Sequence, residues 1–444
     1  MSTPTTPEPA TSGRTTAGTT HADDARRRRT SITGTGIGNA LEWYDWNVYA
    51  TFAIYISAQM FSKADPTSAL LSTLAIFAVG FVARPFGGYV FGWLADRIGR
   101  KHSLMVAVIC ASVGSLMIAI CPPYAQIGAW ASLILLIARL IQGLAHGGEL
   151  PSAQTYLSEQ APREKRGFWA SAIYVSGTIG LLLGMFLGLG LNATLSQEAM
   201  DSWGWRVPFL LGAVFGIFAL WIRTRMEESE VFEEEKETEG LPKENLLVGV
   251  WQNRRAAVQV IGMTAGLTVT YYVWSVAMTP YATKTLGFAP QDAFWASIIG
   301  NTALIVSLPF WGMLSDRIGR KPLMLFAMIG SAVLYIPMLS LVQTHVWQLA
   351  LAISVMCVVL GAFLAIAPAV YAEMFPTAVR ATAFGVPYAI CIALFGGTAP
   401  YVQTWMGTDI DFRYAFPVYA MTLAIISALV VFTLPETKAK DLSD

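Results

Sequence analysis

Charge is scarce in this sequence. Asp, Glu, Lys and Arg make up 13% of its 444 residues, against 55% apolar ones. A soluble domain carries roughly a quarter charged residues, so the composition excludes one and points to a chain that crosses a bilayer repeatedly. The 29 bases are matched by 29 acids, which excludes the basic field that nucleic-acid binding needs. Cysteine and histidine are rare. Cys110, Cys121, Cys357 and Cys391 lie in apolar stretches and read as packing residues. No CxxC or HxxxH is present, so no metal site is expected. The absence of a GxxxxGK[ST] loop removes ATP as an energy source. The chain is expected to be no enzyme and to need no cofactor. A cleaved signal peptide is also missing. Residues 1–30 are rich in Thr, Pro, Ser and Gly, close on Arg26 to Arg29, and read as a disordered cytoplasmic tail.

What the chain has instead is apolar length. A spanning helix takes roughly 20 such residues, and about twelve runs qualify: 32–58, 68–95, 101–121, 131–158, 167–193, 205–223, 255–283, 291–315, 321–341, 346–374, 380–405 and 414–434. The fold class expected is an all-α membrane protein of twelve transmembrane helices. Alternate loops carry the bases, such as Arg97, Arg100 and Lys101, Arg163 to Arg166, Arg317 to Lys321, and Lys438 with Lys440; the opposite loops have few. By the positive-inside bias both termini are cytoplasmic. An acidic linker at 224–254 separates an N-terminal six-helix bundle, 31–223, from a C-terminal one, 255–434, and a cytoplasmic tail, 435–444, follows.

The two halves share motifs. Gly92-Trp-Leu-Ala-Asp96-Arg97-Ile-Gly99-Arg100-Lys101 returns as Gly312-Met-Leu-Ser-Asp316-Arg317-Ile-Gly319-Arg320-Lys321. A second pattern, ExxPxxxR, follows the fourth run as Glu159 to Arg166 and the tenth as Glu373 to Arg380. Two different motifs matched in order and in phase indicate a duplicated, pseudo-symmetric pair of bundles around a central cavity.

These loops, Arg139-x-x-Gln142-Gly143 in the fourth run and Pro435-Glu436-Thr437 after the last resemble the major facilitator superfamily. Gly38-Asn-Ala-Leu-Glu42-Trp-Tyr-Asp45, Arg84-Pro-Phe-Gly-Gly88, Gly147-Gly148-Glu149 and Trp203 to Phe209 resemble, more narrowly, its metabolite:proton symporters. That resemblance implies a bacterial inner-membrane carrier, working as a monomer, for acids such as α-ketoglutarate, citrate or shikimate, or for proline and betaine. It also implies that the paired acidic loops latch the halves shut on the cytoplasmic side. Departures fall on the expected cavity wall: Leu150-Pro151 follows Glu149, His146 replaces an uncharged residue, and Trp46 stands where the family has Phe.

Charges inside spans are costly and persist where they pair, line water or do work. Here they concentrate in the first half: Glu42, Asp45, Arg84, Arg139 and Glu149, with His146. At about 100° per residue, Arg139, Gln142, His146 and Glu149 share one helix face; Glu42, Trp46 and Tyr49 share another, with Asp45 at its edge. An acid beside an arginine can act as a proton switch, because protonation frees the guanidinium for a substrate carboxylate. The expected proton-coupling set is therefore Asp45, Glu42 or Glu149, with His146 as relay. The expected substrate-binding set is Arg84, with Tyr49, Gln142 and Arg139, and with Tyr271, Tyr272 and Trp274 from the second half. Arg84 could instead be an ion pair fixing the first two helices, Arg139 a structural or coupling residue, and the aromatics packing. The gating set is Gly92, Asp96, Arg97, Gly99, Arg100, Gly312, Asp316, Arg317, Gly319, Arg320, Glu159, Arg166, Glu373 and Arg380. The function expected is proton-driven uptake of a small carboxylate. The alternatives are a zwitterion symporter, an exporter or uniporter on the same fold, and a membrane sensor that does not transport.

Overall fold

The computed structural model describes residues 21–98, 100–147, 154, 157–158, 161–224, 253–375, 380–438 and 440; for 21–35, 92, 95–96, 100–101, 104, 222–224 and 380–383 the description is of backbone alone. Gly99, Glu149, Glu159, Pro151 and most of the acidic linker lie outside the described residues, as do the side chains of Asp96, Arg100 and Arg380 and any contact of Gly92.

The described residues form helices and no strand. Nine helical segments are long and apolar enough to cross a membrane, and Met105–Ile120 and Ala129–Ala145 are shorter apolar helices. With His21–Thr51, carried on by Ala53–Met60, they make twelve rods in two six-helix bundles. The second to sixth spans are Pro66–Ile98, Arg100–Ile120, Ala129–Ala145, Arg166–Thr194 and Val207–Thr224. The seventh runs Arg254–Tyr271, Tyr272–Ala277 and Met278–Lys284, followed by Pro290–Ile318, Lys321–Leu341 and Val346–Leu364, the last continued by Ala367–Met374. The eleventh comprises Arg380–Cys391, Ile392–Gly396 and Ala399–Asp409, and the twelfth Ala415–Thr433.

Apolar length sets these rods, and local chemistry shapes them. The seventh and eleventh spans each contain a π-helical turn, Tyr272–Ala277 and Ile392–Gly396. Each turn lies just before a proline, Pro280 and Pro400. A proline lacks the N–H that would bond the carbonyl four residues back. Those carbonyls belong to Val276 and Gly396, inside the wide turns, and such turns are frequent at functional sites.

Two expectations are corrected. The fourth span is not one helix over 131–158: it stops at Ala145, with His146 as its C-cap, and Gln154, Leu157 and Ser158 are helical again beyond the undescribed stretch. The sequence Gly147-Gly148 has the backbone freedom to end a helix there. The first helix starts at His21, inside the segment expected to be a disordered tail; the Ala- and Arg-rich run before residue 30 has high helix propensity. After the last span the chain turns back onto the protein, and Thr437 is buried.

The main seam between the bundles is the fifth span against the eighth, and the second span meets the eleventh at its π turn. Inside the first bundle the second and fourth spans cross backbone to backbone. A Cβ at Gly143 would overlap the Gly80 carbonyl, and one at Gly147 the Arg84 carbonyl. Gly143→Val is therefore expected to lose roughly 1–3 kcal/mol to overpacking. It should sharply reduce the monodisperse fraction in size-exclusion chromatography of the detergent-solubilised protein. An unchanged profile would show that the crossing tolerates separation.

Candidate functional site: a buried charge cluster and an interhalf latch

The first, third and fourth spans bring their polar residues to one point. Asp45 accepts hydrogen bonds from the Ser115 hydroxyl and from Gln142 Nε2, the latter at 2.8 Å. Gln142 Nε2 also reaches the Ser115 oxygen at 2.8 Å, and Gln142 Oε1 accepts from Arg139 Nη1 at 2.9 Å. An amide thus links the acid to the arginine. His146 stands between two carboxylates: Nδ1 is 3.7 Å from Glu42 Oε1, and Nε2 is 3.7 Å from Asp45 Oδ2. Those separations exceed hydrogen-bond length, so the attraction is electrostatic and exists when the imidazole is protonated.

All of these groups are buried, and Arg139 and Gln142 are fully so. Burying a guanidinium is costly unless it is compensated. Part of the compensation comes from aromatic faces. The Arg139 guanidinium lies 3.9 Å from the Trp46 ring centroid and 4.4 Å from that of Tyr49. Arg84 lies 4.1 Å from Trp46 and 4.7 Å from Phe81. Each such contact contributes about 0.5–2 kcal/mol. Trp46, the departure from the family pattern, is thus the shared platform of both arginines. Hydrogen bonding remains incomplete: among the described residues Arg84 Nε, Arg139 Nε and Nη2, and Trp46 Nε1 have no partner. Tyr49 is occupied, its hydroxyl donating to the Thr73 carbonyl at 3.0 Å.

The second bundle closes over this cluster with tyrosines. Tyr272 packs edge-on to Phe81, centroids 5.3 Å apart, and Tyr271 meets Trp43 at 5.7 Å. The Tyr271 hydroxyl is buried close to Ser275. Trp274 is not part of this wall, contrary to expectation. It packs instead against Tyr335 of the ninth span at 5.5 Å, because a step of two residues from Tyr272 turns the helix by roughly 200°.

A second cluster forms where the GxxxD loop of the second bundle meets the first. Asp316 Oδ1 accepts from Gly167 N at 2.8 Å, and Oδ2 from Phe168 N at 3.0 Å. It therefore caps the first turn of the fifth span, where unpaired N–H groups and the helix dipole favour an anion. Gly312 makes this reach possible, since a Cβ there would come within 2.7 Å of the Gly167 carbonyl. Arg320 Nη1 binds Asp316 at 2.7 Å, and its Nη2 reaches Glu373 at 3.4 Å. Glu373, 1% exposed, also takes Arg166 Nη1 at 2.9 Å and the Thr437 hydroxyl at 2.7 Å. Arg166 donates further to the Lys440 carbonyl at 3.0 Å.

Gly319 makes the turn with φ of +105°, the left-handed side that suits glycine. Beneath it Glu436 accepts from Arg320 N at 2.8 Å and Lys321 N at 3.1 Å. Burial opposes ionisation of Glu436, but these backbone donors outweigh it and hold the carboxyl below its usual range. Two members of the expected gating set stay outside the cluster. Arg97 lies over Trp93 of its own helix, 4.2 Å away, and the Arg317 side chain is exposed.

At the opposite end the halves also touch. Gln291 Nε2 donates to the Asn192 carbonyl at 2.9 Å, and Phe294 approaches Phe52 with centroids 6.2 Å apart.

Sequence reasoning missed Ser115 and Tyr174, whose hydroxyl lies 3.4 Å from that of Tyr388 across the halves. A hydroxyl bonding within an apolar helix leaves no spacing signature.

Comparison with known proteins places this architecture. Residues 32–245 match the family described as "Sugar (and other) transporter", and residues 260–444 match "Major Facilitator Superfamily". The chain is 39% identical to the alpha-ketoglutarate permease of Escherichia coli K12 over 93% of its own length and 95% of that protein. It is 30% identical to the proline/betaine transporter of Salmonella typhimurium LT2, over 95% of this chain and 86% of the other. A crystal structure of a D-xylose-proton symporter superposes with a TM-score of 0.74 at 20% identity, covering 94% of this chain and all of that one. The chain therefore belongs to the major facilitator superfamily of multi-pass membrane transporters.

Proposed function

We propose that the chain is a proton-coupled carrier for a small organic carboxylate of the α-ketoglutarate class. The observation that carries this reading is the orphan set around Trp46. Arg84 Nε, Arg139 Nε and Nη2, and Trp46 Nε1 are all donors, buried and unpartnered among the described residues. Unmet buried donors are expensive, and an acceptor-rich anion is the ligand that satisfies them. Carboxylates suit guanidinium groups in particular. The identity to an alpha-ketoglutarate permease agrees with this.

Asp45 is the proton carrier in this reading, with Glu42 and His146 tied to it and Gln142 passing its state to Arg139. The end bearing the Asp316 cluster faces the cytoplasm, as the loop bases require, and the protein sits in the cytoplasmic membrane. The Asp316–Arg320–Glu373–Arg166 network then holds the inner gate shut until the halves rock apart.

The proline/betaine relatives and the ring group of Trp43, Tyr174 and Tyr271 favour one second reading, a zwitterion whose cationic end meets aromatic faces. Competition against α-ketoglutarate uptake into proteoliposomes under an imposed pH gradient separates the two. Succinate and other dicarboxylates should compete and proline and glycine betaine should not. Arg84→Gln should raise the half-saturating concentration at least about tenfold, the equivalent of about 1.4 kcal/mol. Uptake of betaine but not of α-ketoglutarate would overturn the carboxylate reading.

A further inference from the structure

The seventh span works on two faces. Tyr271 and Tyr272 face the charge cluster, whereas Trp274, on the same π turn as Tyr272, looks into a different space. This is a cleft of about 380 Å³, solvent at its mouth included, in the outer end of the second bundle. Trp274 and Tyr335 form its floor, Gln403 one side, Leu339 and Phe416 the apolar walls, and Arg413 is at the mouth.

Three properties of this cleft point the same way. The indole N–H of Trp274, 0% exposed, and the hydroxyl of Tyr335, 2% exposed, turn to each other and have no further hydrogen-bond partner among the described residues. Their rings stand edge to face, 5.5 Å apart. Arg413 is exposed at the mouth, its guanidinium 5.7 Å from the Tyr414 ring. Among the described residues no acid lines the space; Asp409 and Asp411, close to Arg413 in the chain, are exposed and outside it.

We propose that this cleft is a second, weaker site for a small carboxylate. The carboxylate head meets the Trp274 indole N–H and the Tyr335 hydroxyl, within the field of Arg413. A water could meet the floor donors, but a site with a cation and no acid selects for an anion. The apolar walls favour a head carried on a short carbon chain over a bare inorganic ion. The head enters and the rest of the molecule stays at the mouth. Because Trp274 shares its π turn with Tyr272, which follows Tyr271, an occupant here bears directly on the segment that walls the central cluster. The choice of ligand rests on the carboxylate reading above; the site itself rests on its own donors.

Equilibrium binding of radiolabelled α-ketoglutarate to the full-length chain in nanodiscs tests this. The wild type should saturate at two molecules per chain, the second about tenfold weaker than the first. Tyr335→Phe and Arg413→Gln should each abolish the weaker phase and keep the tighter one, and Arg413→Lys should restore it. Arg84→Gln should do the reverse. A wild type that saturates at one molecule, lost entirely in Arg84→Gln, overturns the second site and leaves the central reading standing. One molecule lost in Arg413→Gln but kept in Arg84→Gln supports this site and removes the central one. No binding in any variant overturns both.

Discussion

Replacing Asp45 with Asn is expected to abolish concentrative uptake while leaving exchange of labelled for unlabelled substrate intact. With the membrane potential clamped at zero and one proton per substrate, each pH unit of gradient supplies about 1.4 kcal/mol, or tenfold accumulation. A two-unit gradient should therefore drive about a hundredfold accumulation in the wild type and a ratio near one in the variant. The geometry explains why the loss should be so selective. Asp45 is the acid to which Ser115, Gln142 and His146 all turn, and Asn keeps its size and an acceptor oxygen. Protein yield and exchange should survive because the helices keep their contacts. Only the titratable charge disappears, and with it the means of tying substrate movement to proton movement. Glu42→Gln is the paired measurement. If Asp45→Asn still accumulates substrate and Glu42→Gln does not, the proton rides on Glu42. If both accumulate normally, this carboxylate mechanism is wrong.

The second large effect is expected at Glu373. Its carboxylate gathers Arg166 from the first bundle with Arg320 and Thr437 from the second, in a place with almost no solvent. Glu373→Gln takes the carboxylate from the buried Arg166 guanidinium and leaves Arg320 with Asp316 alone. Removing one partner from such a group costs about 3–5 kcal/mol. In the proposed rocking of the halves Arg166 is drawn away from Glu373, so the cost falls on the state closed at this end and is expected to shift the conformational equilibrium about 200- to 5000-fold toward the open one. Spin labels on the exposed Lys165 and Arg317, in a background lacking the native cysteines, should report a longer distance as the dominant population. Uptake should fall in parallel. A distance distribution identical to wild type would show that Asp316, capping the fifth span, suffices to hold the gate.

Much of this was legible in the sequence, and what was hidden has physical reasons. Apolar length located the twelve rods, and the repeated loop located the halves, because both depend on residue type alone. Helical phase placed Arg139, Gln142 and His146 correctly on one face. The same arithmetic should have separated Trp274 from Tyr272, since two steps along any helix reverse the face. The end of the fourth span at Ala145 was obscured by an apolar run that continues past Gly147. Thr437 and Lys440 were assigned to a tail because polarity reads as exposure, yet Glu373 and Arg166 draw them inward. Ser115 lacked any pattern, as its partner lies 70 positions away in the chain.

The Gln142 amide has a consequence of its own. Its two ends differ: the oxygen serves Arg139 and the nitrogen serves Asp45. An ionised Asp45 can only accept, so the amide has one permitted orientation. Once Asp45 carries a proton on the oxygen facing Gln142, that O–H becomes a donor, and turning the amide by half a turn would bring Gln142 Oε1 round to accept it. Its NH₂ would then face the guanidinium, which has no acceptor to offer. Arg139 would lose its hydrogen-bond partner without any helix having moved. Information about a single proton would thus cross from one span to another as a reversal of polarity in one side chain.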